Sequence, residues 1–199
     1  MTSRLVVNSV RHTGASADAI TLDASGNVTF PANATCSGTA TGFGKILQVH
    51  QFAKSDVVSA QPNQTYADIS GFTTSITPSS TSSKILVQIM MVVVGGDTTA
   101  LRLIRDSTSI LQGDTVSGKE SVSAGVYQGN ASNGSNYYGA KPVTLIKLDS
   151  PSSTSAVTYK VQWKTSNSSN TLYLNRNLSD INQYAFRTVS TITLMEVAA

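Results

Sequence analysis

The sequence predicts an all-β protein, an antiparallel β-sandwich or jelly roll preceded by a small N-terminal β-hairpin segment. Three observations point there. Ser and Thr make up about a quarter of the 199 residues while charged residues are only 13%; Thr suits pleated, half-buried surface, and Ser, Asn and Gly suit turns. Strong helix formers are scarce: Glu occurs only at Glu120 and Glu196, and no long stretch is rich in Ala, Leu, Lys and Glu. About ten short strand-like runs, each bounded by breaker clusters, follow one another at the spacing of a sandwich.

The first run lies between Arg4 and Val10, where LVVNSV reads as a short strand before the turn-prone His12-Thr13-Gly14-Ala15-Ser16. A hairpin follows. Ile20 and Leu22 face one way, Ala24-Ser25-Gly26-Asn27 turns the chain, and Val28 and Phe30 repeat the alternation. Pro31 ends the pairing because it has no amide donor. Four apolar side chains thus share a face that nothing in the hairpin covers, and a two-stranded hairpin alone is marginal in water. The segment must pack on the body, on another protein or on copies of itself. From Ala32 to Gly44 the chain is small, polar and Gly-rich, as a linker is. We therefore expect two parts, a docking or trimerisation segment over 1–44 and a head over 45–199.

In the head, strands are expected at Lys45 to Ala53, Tyr66 to Ile69, Phe72 to Thr77, Lys84 to Val94, Ala100 to Arg105 and Ser121 to Tyr127. Further strands are expected at Pro142 to Asp149, Ala156 to Lys164, Thr171 to Asn175 and Thr188 to Val197. Two are informative in detail. In Val157-Thr158-Tyr159-Lys160-Val161-Gln162-Trp163-Lys164 apolar and polar residues alternate strictly, so one face lies on a core and the other meets water or a polar layer. Ile85 to Val94 is apolar on both faces except at Gln88, which predicts a second cover supplied by a neighbouring subunit.

Composition excludes several kinds of function. The net charge of +3 is spread over single Lys and Arg residues, so no basic stripe for nucleic acid exists. The longest apolar run is too short to span a bilayer, and the first residues lack the core of a signal peptide. One cysteine, Cys36, precludes an intrachain disulfide framework, and no ligand spacing suggests a metal or other cofactor. Only His12 and His50 could serve as a catalytic base, and neither a Gly-x-Ser-x-Gly elbow nor a phosphate loop occurs. Carboxylate pairs would have to come from turn residues such as Asp97 and Asp106, where Asp ordinarily bonds its own backbone. The reading is a non-enzyme.

Recognition residues are more evident. The stretch from Gly113 to Ala140 is long, rich in Gly and Asn, and studded with Tyr, which offers a stacking face and a hydroxyl at little entropic cost. Tyr127, Asn130, Asn133, Asn136, Tyr137 and Tyr138 are candidate contacts to a sugar or protein receptor; the same tyrosines could instead close one end of the sandwich or pack at a subunit contact. Arg176, between Asn175 and Asn177, forms a second candidate patch with Tyr184.

The leader LVVNSV, then Arg11-His12-Thr13-Gly14, then ITLDASGNVTFP resembles the opening of small structural proteins of tailed bacteriophages of the marine and cyanobacterial type. The runs SITPSSTSSKILVQIMMVVVG, ALRLIRDSTSILQGD, LDSPSSTSAVTYKVQW and STITLMEVA are similar to strands of the C1q- or TNF-like jelly-roll heads of such proteins. The resemblance implies a homotrimer on the virion surface, made in the host cytoplasm. Its N-terminal segment, through Leu5, Val7, Ile20, Leu22, Val28 and Phe30, would dock on other virion proteins or intertwine. A repetitive shaft between leader and head is absent from the sequence. Two roles stay open: a short tail fibre whose head binds host glycan or protein, and a capsid decoration protein that stabilises the shell.

Overall fold

Residues 7–30, 46–95, 98–127, 139–166, 169–181, 183 and 185–198 are described by a computed structural model. The chain divides into two compact units, Met1–Phe43 and Gly44–Ala199. In the first, β1 (Ser9–Val10), β2 (Ile20–Leu22) and β3 (Val28–Thr29) form an antiparallel sheet in that order. The turn between β2 and β3 is built by Asp23, whose carboxylate accepts the backbone N–H of Ser25 at 2.9 Å and of Asn27 at 2.8 Å, and the Asn27 amide at 2.7 Å. Gly26 takes φ +83°, a left-handed conformation that a side chain would resist. These bonds, that from Asn27 foremost, hold the Asp23 carboxyl below its usual range.

Cross-strand pairs Val10↔Ile20 and Leu22↔Val28 place their side chains on a common face. Among the described residues of the unit, no second layer packs on that face. Val10, Leu22, Val28 and Phe30 are all exposed, Val28 to 53%. The sequence anticipates the short strand ending at Val10 and the hairpin of β2 and β3; the structure pairs β1 with β2 in one sheet.

The second unit holds β4 (Ile46–Lys54), β5 (Val58–Ala60), β6 (Ala67–Ile76), β7 (Lys84–Gly95), β8 (Thr98–Arg105) and β9 (Thr108–Leu111). After them come β10 (Ala124–Tyr127), β11 (Lys141–Asp149), β12 (Val157–Thr165), β13 (Leu172–Leu174) and β14 (Ser190–Val197). They form two sheets, the β-sandwich that the sequence predicts. In the six-stranded sheet β7 is central: β11 pairs one side, while β14 and then β13 pair the other, with β4 beyond β14 and β5 beyond β13. In the five-stranded sheet β6, β12 and β8 lie side by side, and β9 and β10 share the far edge of β8. All these pairings are antiparallel.

One core lies between the sheets. Ile85, Val87, Ile89, Met91 and Val93 of β7 meet Phe72, Leu101, Leu103, Val161 and Trp163 from the opposite sheet, all essentially inaccessible to water. Along β12 every second residue is apolar and the pleat sends those to one side, whereas β7, apolar on both faces, turns its odd-numbered residues to this core. Burying so many large side chains is the main stabilising term of the unit, each worth roughly 1.5–3 kcal/mol.

Three expectations change. The two strands expected on either side of Ser70-Gly71 are one strand, β6, because Gly71 adopts φ +66° and absorbs an irregularity where β6 pairs β12 between Lys160 and Gln162. Strands β5 and β9 were not expected, being three and four residues long, too short to show a period. The run expected at Ser121 pairs only from Ala124 onward.

Candidate functional site

The two outer faces of the sandwich differ in kind. On the five-stranded sheet, charges are interlaced: Lys160 Nζ lies 2.7 Å from Asp68, and Glu120 pairs with both Arg102 and Lys164. Burial pushes the Asp68 carboxyl up, but Lys160 and Gln162 outweigh it and leave it lowered. This is a solvated face.

The outer face of the six-stranded sheet carries no such pairs among the described residues. Register aligns Leu148, Leu86, Met195 and Val49 in one row across β11, β7, β14 and β4, and Ile146, Gln88, Thr193 and Gln51 in the next. Gln51 donates to Thr193 Oγ1 at 3.0 Å. Val49, Met90, Ile146 and Leu148 are about half exposed. Beside Met90 a shallow depression of ≈ 250 Å³ opens between Thr144, Ile146, Thr191 and Thr193. The second face of Ile85 to Val94 is thus partly open from Leu86 to Val92, with Leu86 and Val92 partly exposed and Met90 at 50%, while Val94 at its end is buried.

A depression of ≈ 270 Å³ lies on the five-stranded sheet, lined by Gln64, Thr98, Ala100, Glu120, Lys164, Thr165 and Ser166. Gln64, held at φ 53°, donates to Ser166 O at 2.9 Å and so fixes one rim. On the same face Tyr66 is packed against two cations, with Arg102 3.8 Å and Lys164 5.0 Å from its ring centre. Burial, then the Glu120 carboxylate, pushes the Tyr66 hydroxyl up to about 12. Glu120 is itself held below its usual range, chiefly by the bond from Lys164.

Tyr127 is not among the residues that line this depression, although its strand partner Thr98 is. It ends β10, lies directly opposite Thr98 and is 67% exposed. Asn130, Asn133, Asn136, Tyr137, Tyr138 and Tyr184 lie outside the described residues, as do Leu5 and Cys36. Arg176 is engaged locally: its guanidinium donates to Asn177 O at 2.9 Å and Leu178 O at 2.7 Å, pairs with Asp180 at 3.3 Å and stacks over Tyr173 at 4.2 Å. It braces the loop after β13. Of the leader residues, Val7, Leu22, Val28 and Phe30 are exposed and Ile20 is partly buried.

Sequence reasoning did not find the depression. Its residues come from four separate stretches, and only the strand pairing brings Ala100 opposite Lys164. The polar alternation of β12 was the one available signal.

Buried polar groups serve the architecture. Glu196 is fully enclosed and accepts hydrogen bonds from Ser79 N and Oγ and from Gln48, at 2.6–2.7 Å. Although burial pushes it up, these bonds with one from Ser83 hold its carboxyl at about 2. Asp149 takes both Arg105 Nη1 and the Tyr159 hydroxyl, at 2.8–3.0 Å, and burial followed by that carboxylate raises the tyrosine. Asn175, at φ 66°, donates to Lys54 O and Asp56 O and accepts from Ser190.

His50 Nε2 lies 3.1 Å from Gln48 Oε1, and His12 Nδ1 accepts the Gly14 N–H at 3.1 Å. Among the described residues no group of three or more His, Cys, Asp or Glu is placed to hold a metal ion, and no helix is long and apolar enough to cross a membrane. Compared with known proteins, the chain matches no family model and no curated relative.

Proposed function

We propose that the chain is a non-enzymatic structural protein of a bacteriophage virion, a short homotrimeric tail appendage. Its head meets the host surface, and its N-terminal unit docks on other virion proteins. The observation that carries this reading is the contrast between the two sheet faces: one is laced with ion pairs, the other presents Val49, Leu86, Met90, Ile146, Leu148 and Met195 to solvent. A contiguous apolar face of this kind marks an interaction surface.

A flat sheet face repeated by a three-fold rotation closes into a ring in which each copy contributes two neighbouring parts of the same face. The rows of Leu, Met, Ile, Thr and Gln supply the apolar centre with short polar side chains that pair without desolvating a charge. The N-terminal sheet has the same property on a smaller scale. It exposes Val10, Leu22, Val28 and Phe30 on a unit with too few residues to bury them.

Antibody labelling of intact particles that encode the chain tests the assignment. Signal at the tail is expected. Signal over the head would replace it with the capsid decoration role, and absence of signal from particles would overturn both.

A further inference from the structure

We propose that Gln88 sets the register of the contact between copies of the chain: its amide bonds Gln51 and Thr193 of the neighbouring copy, with the three-fold axis parallel to the strands. This rests on the reading of the outer face of the six-stranded sheet as that contact.

Gln88 stands near the middle of the central strand β7 and is the one polar residue from Ile85 to Val94. On the outer face Ile146 lies opposite it on one side and Thr193 on the other. The side chain is partly buried, and among the described residues its amide makes no hydrogen bond. Solvent satisfies that amide in the single chain. A second copy laid on the face excludes solvent, and a polar group left unpaired in a dry contact is costly. The covering surface must therefore bring both a donor and an acceptor to this point.

The same face supplies them. The rows of Leu86 and Gln88 are followed by a third, Thr144, Met90, Thr191 and Ala53, and none of the three contains a charged residue. Their polar members are amides and hydroxyls, each donor and acceptor at once, so the face complements a copy of itself and requires no partner of opposite charge. Gln51 already donates to Thr193 Oγ1 at 3.0 Å. That leaves the Gln51 carbonyl oxygen to accept from Gln88 of another copy and the Thr193 hydroxyl to donate to it. Gln88 also lines the depression of ≈ 250 Å³, which gives the incoming Gln51 room.

Symmetry turns this pairing into a direction. A rotation keeps every atom at its height along the axis, so strands parallel to the axis bring each row against the same row of the next copy. The β11 and β7 side of one copy then meets the β14 and β4 side of the next. A slip of one row, about 7 Å along the strand, would set Gln88 on Met195 and Val49 in one direction, or on Ala53 and the single hydroxyl of Thr191 in the other. The amide would lose one partner or both. A polar residue at one seam position fixes the register of coiled coils by the same penalty.

The test is disulfide cross-linking in a Cys36→Ser background, read on a non-reducing gel beside the solution mass of the wild-type chain. Gln88→Cys with Gln51→Cys should give a covalent trimer that reductant returns to single chains. Within one chain β14 separates these positions, which places them about 10 Å apart, too far for a bridge, so the link forms only between copies. Gln88→Cys with Val49→Cys, one row away, should stay unlinked. Gln88→Leu should keep the native Trp163 fluorescence yet give several masses in place of one trimer. A wild-type chain that is not a trimer overturns the reading of the face itself. A wild-type trimer in which the Gln51 pair does not link, or in which Gln88→Leu leaves one uniform trimer, overturns the register proposal alone.

Discussion

Glu196 is a carboxylate closed inside the head, with no ion-pair partner among the described residues, held by Ser79, Gln48 and Ser83. Its carboxyl is depressed from 4.5 to about 2, so the folded state binds its proton less readily than the unfolded chain does. Its contribution to stability is therefore complete above pH 4.5 and is lost as the pH falls through about 2. Glu196→Gln should cost about 2 kcal/mol at neutral pH, through the weakened charge-assisted bonds, and the deficit should shrink as the pH approaches 2. Urea unfolding followed by Trp163 fluorescence measures both; a deficit independent of pH would contradict the account. Gly71 makes a second residue-scale case. At φ +66° inside β6, an added methyl is strained, so Gly71→Ala should destabilise the head by about 1 kcal/mol in the same assay. Neither role was legible in the sequence. Glu196 meets Ser79 across more than a hundred residues, and Ser70-Gly71 reads as a break where the structure makes a bulge.

At the scale of elements, period-two alternation made most of the head legible. It identified the core-facing residues of β12 and marked β7 as apolar on both sides; of the outer positions of β7, Met90 is open to solvent, Leu86 and Val92 are partly exposed and Val94 is buried. It failed for β5 and β9, whose pairing depends on β13 and β8 rather than on any pattern of their own. The depression on the five-stranded sheet was illegible for the same reason. Its lining residues are assembled by register. One prediction belongs here. Met90→Lys places a charge in the middle of the apolar face, where Met90 is 50% exposed, so it should change the stability of the isolated fold by no more than about 0.5 kcal/mol. It should nevertheless disperse the trimer, because a buried unpaired ammonium is costly in an interface.

For the whole molecule, the account assigns different work to its two units. The head, Gly44–Ala199, holds a continuous core of its own, whereas the N-terminal sheet leaves its apolar face open. Residues 45–199 should therefore fold and keep the three-fold contact while failing to join particles; incorporation of this truncated form would sink the docking role. The measurement that tests the central claim most directly is the solution mass of the full-length chain by light scattering behind a sizing column. Three times the chain mass, falling to the chain mass in Met90→Lys, is the predicted result. A wild-type protein that elutes at the mass of a single chain would contradict it.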